Sequence, residues 1–261
     1  MILDDVISAY REMGIRRGDV IEVSSDVRAM IMRMRHEAKA NGRVSKSFAE
    51  YMDDIINALQ DLVGREGTLL FPTYTWRFCK GEEWDYDSTP GETGALSNQA
   101  LSREDFKRTK HPIYSFAVWG KDREFLVNLE NRDSFGKDSP YAYLHEKGRY
   151  NIALGVSSFF TFTHYVEQCN HVDYRYGKDF TALYTINGQK ELRTYSMSVR
   201  LLEPREVLSL AAESSGLLDG RGLLKKTVEG ILLEAVDFKK AYEAISWDIQ
   251  SNDAKHIMRW G

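Results

Sequence analysis

The chain has 261 residues, 43% of them hydrophobic and 28% charged; this is the composition of a globular protein, not of a disordered or fibrous one, and one domain over residues 1–261 is expected. A net charge of −4 with both signs interspersed argues against nucleic-acid binding, and no apolar run is long enough for a membrane span. Residues 1–14 alternate apolar with acidic side chains, unlike a signal peptide, and only two cysteines occur, Cys79 and Cys169, so a soluble cytoplasmic protein without nucleic-acid or membrane partners is predicted.

Ile2, Leu3, Val6, Ile7 and Tyr10 recur at helical spacing, and Gly14 ends that helix before an alternating strand at 20–23 that runs into Ser24, Ser25 and Asp26. Arg28, Arg33, Arg35, Lys39, Arg43 and Lys46 then crowd into one short stretch, either a solvated helix face or a docking surface for a phosphorylated small molecule. Phe48, Met52, Ile55, Ile56, Leu59 and Leu62 mark a second amphipathic helix, with Ser47 as N-cap and Gly64 as its stop. A buried strand at 68–71 is halted by Pro72. Residues 76–108 are rich in Gly, Ser, Thr, Asp and Glu with weak periodicity, which predicts a structured surface loop and a candidate substrate wall.

A strand at 115–119, helices at 122–129 and 140–146 and a strand at 151–156 follow. Alternating strands and helices predict an α/β fold, with a parallel sheet as the reading from order alone. Asn187-Gly188 between strands at 180–186 and 191–199 predicts a tight antiparallel hairpin. A helix at 204–214, an apolar run at 230–236 and a last helix at 238–249 complete the chain.

The segment from Gly155 to Glu167 is the most informative, because a buried strand ends there and a histidine follows at once; sites in open α/β sheets collect at the carboxyl ends of strands. A helix starting near Thr161 sets His164 and Glu167 one turn apart on one face, where the carboxylate either steadies an imidazole or forms an ordinary surface pair. His171 at the next turn extends this to a possible metal face. Cys169 is either structural or a nucleophile beside these histidines. No G-x-S-x-G elbow, P-loop or G-x-G-x-x-G fingerprint occurs, which disfavours serine-nucleophile, phosphoryl-transfer and nicotinamide chemistry.

Several segments follow one another in order: Val23-Ser24-Ser25, the strand 67–75 from Gly67 to Thr75, Thr89-Pro90 with Gly94, the run 111–120 beginning His111-Pro112, Phe135-Gly136-Lys137-Asp138-Ser139-Pro140, and Gly155-Val156 with Thr161, His164 and Glu167. Their order resembles that of the aminoglycoside 3-N-acetyltransferase family, from about residue 23 to 167, with scattered matches beyond. The resemblance implies an α/β fold with a mixed, largely antiparallel central sheet and flanking helices, in place of a parallel one. It implies acetyl-CoA or another acyl-CoA as co-substrate, no metal, and an amino-sugar acceptor.

Carried onto this chain, the resemblance makes His164 the general base and Glu167 its orienting partner. It sets Ser24, Ser25, Lys110, His111 and Ser115 beside the pantetheine arm and thioester, with Arg28 as a candidate contact to the coenzyme. Backbone N–H groups near a strand end, or a hydroxyl such as Ser115 or Thr73, are the candidate oxyanion donors, and Thr73, Tyr74, Trp76 and Trp84 are candidate substrate contacts, although such aromatics also serve as core. The basic stretch 28–46 stands where the aminoglycoside enzymes have a short glycine-containing turn, and 171–178 lacks the dense acidity expected for a strongly cationic antibiotic. A nucleotide-linked amino sugar is therefore an alternative acceptor. A non-catalytic relative and a metal-dependent hydrolase built on His164, Glu167 and His171 are the rival readings.

Overall fold

Ile2, Val6, Ile7 and Tyr10 are buried along one side of the first helix, α1 (Ile2–Glu12), in a computed structural model that describes residues 1–157, 160–210 and 215–261. Strand β1 (Val20–Ser25) leads into α2 (Arg28–Ala40), so the basic stretch is mostly a helix that buries Met30, Ile31 and Met34 and exposes its arginines. Helix α3 (Phe48–Val63) opens on a capping box in which the Ser47 hydroxyl accepts from the Glu50 amide and the Glu50 carboxylate accepts from the Ser47 amide. Gly64, at φ 64°, closes it.

After β2 (Thr68–Pro72) the expected surface loop is more ordered than its composition suggests. It contains a 3-10 turn (Trp76–Lys80), the short strand β3 (Trp84–Asp85), helix α4 (Ala95–Leu101) and the short strand β4 (Lys107–Arg108). Then come β5 (Phe116–Gly120), α5 (Arg123–Val127), α6 (Pro140–Lys147), β6 (Tyr150–Leu154) and α7 (Phe162–Cys169). The hairpin β7 (Arg175–Ile186) and β8 (Gln189–Arg200) turns at Asn187 and Gly188, both at positive φ (52° and 74°), as a two-residue turn between right-twisted strands requires. The chain ends in β9 (Val207–Ser209), β10 (Leu223–Val228), β11 (Ile231–Asp237), α8 (Phe238–Ser251) and β12 (Met258–Trp260).

The helix expected at 204–214 is corrected: residues 207–209 are a strand, because Met258–Trp260 supplies them with an antiparallel partner, and 211–214 lie outside the described residues. No local periodicity reports a partner from the far end of the chain.

The central sheet has the order β10-β11-β6-β1-β2-β5-β4. β6, β1 and β2 are mutually parallel at its centre, while the outer pairings are antiparallel: β10 with β11, β11 with β6, β2 with β5 and β5 with β4. The sheet is thus mixed and largely antiparallel. Alternate strand residues feed two cores. Ile21, Val23, Leu69, Phe71, Ile152 and Leu154 pack under α1 to α4 on one face. Val20, Leu70, Phe116 and Val118 face α6, α7, α8 and the hairpin on the other.

Candidate active site

Three parallel strands that point the same way bring their carboxyl ends together. Val23, Ser24 and Ser25 of β1, Pro72 and Tyr74 after β2, and Val156 after β6 meet there, around a cleft of about 560 Å³. Tyr114, Trp76, Glu92, Thr93, Gly94, Ser97, Thr161 and His164 complete the lining. Close backbone approaches hold the rim. Gly155, at φ 73°, lies so near β1 that a Cβ there would sit 2.3 Å from the Asp26 carbonyl oxygen, and one on Gly91 would sit 2.8 Å from Thr73 Cα.

Helix α7 begins at Thr161 and carries the reactive pair. His164 Nδ1 lies 2.7 Å from Glu167 Oε2, with the imidazole partly exposed and the carboxylate buried. A neutral imidazole donating from Nδ1 to this carboxylate carries its lone pair on Nε2, the form a general base requires. Arg175, at the start of β7, brings Nε to 2.6 Å from the same Oε2, a close ion pair not aligned as a hydrogen bond, and donates elsewhere to the Ser198 carbonyl and the Ser209 hydroxyl. Phe135 of the Phe-Gly segment stands edge-on to His164, with ring centres 6.0 Å apart, and Gln168 donates to Asp133 at 2.6 Å. Ser139 caps α6 by accepting from the Ala142 amide. The shared motif therefore braces the helix that holds the histidine.

Of the residues expected at the site, Ser24, Ser25, Tyr74, Trp76 and His164 line the cleft, with Glu167 directly behind the histidine. Arg28 is exposed and paired with Asp26. Lys110 pairs with Glu130, and its carbonyl accepts from the Tyr184 hydroxyl. His111 is buried against Tyr195, where burial pushes its imidazole down to about 3; it is a neutral core side chain. Thr73 and Ser115 are fully buried with their hydroxyls 2.9 Å apart. Ser115 donates to the Thr73 carbonyl and accepts from Arg108 Nε, so both hydroxyls are engaged beneath the cleft rim. Trp84 is fully buried between Tyr184 and the Arg108 guanidinium and belongs to the core.

His171 falls beyond the end of α7, at φ 51°, and lines, with Glu167, Asp133, Arg175 and Ser196, a polar pocket that does not include His164. The helical stripe that would make it a third ligand beside His164 and Glu167 therefore does not exist. Cys169 is exposed on the last turn of α7.

Nothing local in the chain marks Arg175, one basic residue in a polar run, or Thr93, Ser97 and Tyr114 as site residues. Glu22 was signalled only as a lone acid in an apolar strand. It is buried, its Oε1 accepts from the Tyr74 hydroxyl at 3.2 Å, and burial pushes its carboxyl up to about 7, partly offset by hydrogen bonds from Asn151 and Tyr74.

The sequence model of the aminoglycoside 3-N-acetyltransferase family matches residues 40–225. A curated relative, the SPbeta prophage-derived aminoglycoside N(3')-acetyltransferase-like protein YokD of Bacillus subtilis (strain 168), is 26% identical over 125 residues; the match covers 39% of this chain and 46%, about half, of the relative. Among solved structures, sisomicin-bound AAC-VIa superposes with a TM-score of 0.76 at 18% identity, covering 96% of this chain and 98% of that one. The crystal structure of YokD from Bacillus subtilis gives 0.73 at 19% identity, with 97% and 94% covered. AAC-IIIb with CoASH gives 0.74 at 18%, with 95% and 96% covered. At these identities the structural likeness is one of fold, and it agrees with the mixed sheet described above. With well over half its length matched by the family's sequence model, the chain belongs to the aminoglycoside 3-N-acetyltransferase family, whose members are acyl-CoA-dependent N-acyltransferases.

Proposed function

We propose that this chain transfers an acetyl group from acetyl-CoA to an amine of an aminoglycoside, with His164 as general base and Glu167 as its orienting partner. The observation that carries the reading is the 2.7 Å contact between His164 Nδ1 and the buried Glu167 carboxylate, on the wall of a cleft built from strand ends. A sugar ammonium cannot attack a thioester until it has lost a proton. His164 Nε2 takes that proton, the neutral amine nitrogen bonds to the thioester carbonyl carbon, and the C–S bond breaks; the nitrogen's surplus proton goes to the departing thiolate, which leaves as the thiol, and the imidazolium returns its proton to solvent. The mostly apolar lining from Pro72, Tyr74, Trp76, Tyr114 and Val156 suits a pantetheine arm, with Ser24 and Ser25 as polar contacts along it. Glu92, the acidic residue in the cleft lining, suits a cationic acceptor, although its carboxylate also pairs with Arg77 at 3.2 Å.

The family match favours a free aminoglycoside over a nucleotide-linked sugar, and the intact dyad favours turnover over coenzyme binding alone. Among the described residues no helix is long and apolar enough to cross a membrane. Both cysteines are free, which supports a reducing, cytoplasmic setting.

Thiol release from acetyl-CoA with a panel of aminoglycosides, and mass spectrometry of the product, tests the reaction. His164→Ala is expected to lower kcat by roughly 10²–10⁴ while coenzyme A binding persists. An alanine variant that turns over like the wild type at every pH overturns the assignment.

A further inference from the structure

Glu22 sits in the middle of β1, between β6 and β2 at the centre of the sheet, where a strand is usually apolar on both faces. Its side chain is 1% exposed, and Oε2 has no hydrogen-bond partner. A carboxyl group in such a place costs stability unless it does something there. Two arms lead from it toward the cleft. In one, the Tyr74 hydroxyl donates to Glu22 Oε1 at 3.2 Å. In the other, Asn151, its register partner on β6, donates to Ser24 Oγ at 3.4 Å. Ser24 and Tyr74 both line the cleft.

We propose that Glu22 is a positioning residue of the acetyl-transfer site, fixing Tyr74 through one arm and, beside Asn151, Ser24 through the other. The inference rests on the proposed function for what the cleft does. An ionised Glu22 accepts from Tyr74, and hydrogen bonds to a charged acceptor are about twice as strong as neutral ones. A protonated Glu22 has an O–H of its own to place, and the Tyr74 hydrogen can turn to the Tyr141 hydroxyl, its other close neighbour. The titratable groups facing Glu22 are Tyr74, from the end of β2, and Tyr141, from α6; burial keeps both phenols protonated by raising them well above their usual range. Asn151, from β6, faces it without charge. The carboxyl is thus the group in this network that changes charge near neutral pH, being held up to about 7 by burial. It grips Tyr74 firmly above that pH and loosely below it.

Glutamine mimics the protonated acid at every pH, so Glu22→Gln compared with the wild type reads the effect directly. At pH 8 the variant is expected to lose about tenfold in kcat and to bind coenzyme A about threefold more weakly by calorimetry, from one lost charge-assisted hydrogen bond. At pH 5.5 both ratios are expected to approach one. Tyr74→Phe cuts the first arm and leaves the carboxyl in place; it carries the same pH-dependent ratios and decides the matter should Glu22→Gln not fold. Ratios that stay constant from pH 5.5 to 8 overturn the inference. A wild type that releases no thiol speaks against the proposed function, and the calorimetric comparison still decides the role of Glu22.

Discussion

His164 and Glu167 were legible because their partnership is local: three residues on a helix fix the geometry. Arg175, which completes the carboxylate's surroundings, was not, since the hairpin that carries it had to fold back first. Glu22 is an intermediate case, visible as a charge in Val20-Ile21-Glu22-Val23 but meaningless until Tyr74 and Asn151 close around it. Its burial predicts how stability depends on pH. The folded carboxyl keeps its proton up to about pH 7, whereas its ordinary value is 4.5. Between these values the native state holds a proton that the unfolded chain has released, so stability falls as pH rises through that window, and the loss is complete above it. Between pH 5 and 8 Glu22→Gln should gain roughly 2–3 kcal/mol over the wild type in urea unfolding. A pH-independent difference would show that the carboxyl is not held protonated. The same substitution would then stabilise the fold at the pH where it slows the reaction, a trade common at functional sites.

Among the elements, those whose signals are contained within themselves read true. Helix α3 has its capping box and its closing glycine, and β7 and β8 have the Asn-Gly turn. Strand β9 was misread as helix, because its partner β12 lies at the other end of the chain. Helix α2 shows a third case: its form is settled and its purpose is not contained in it. One side buries Met30, Ile31 and Met34, and the other exposes Arg28, Arg33 and Arg35 directly after the serine pair. Arg28 and Arg33 pair with Asp26 and Glu229, both partners partly or well exposed, and such pairs are worth little. The arginines are therefore available to coenzyme phosphates. Neutralising all three to glutamine should raise the KM for acetyl-CoA roughly 3- to 10-fold at low salt, with the effect fading as salt screens it and the acceptor constant unchanged. A rise confined to the acceptor would assign the helix to the other substrate, and two unchanged constants would leave it as a solvated face.

For the molecule as a whole, strand–helix alternation pointed to a parallel sheet, and that holds for β6, β1 and β2, the strands that build the cleft. The antiparallel arms were not legible from order, because β5, β10 and β11 reach their places over loops and hairpins whose direction a pattern of apolar residues does not record. The family resemblance supplied that correction. The division of labour has a consequence in time rather than in space. β1 is flanked on both sides by strands that are themselves flanked, with a hydrophobic core on each face, so its amides can meet solvent only when the whole sheet opens. The outer β4 and β10 and the long hairpin need no such event. Deuterium should therefore enter β4, β10 and the turn at Asn187 and Gly188 within the first phase of exchange, and reach 20–24 last, at the rate of global unfolding. Ser24 would then hang from the slowest-breathing segment of the chain while the peripheral strands and the hairpin turn exchange around it, and uptake in β1 as fast as in β10 would show the opposite.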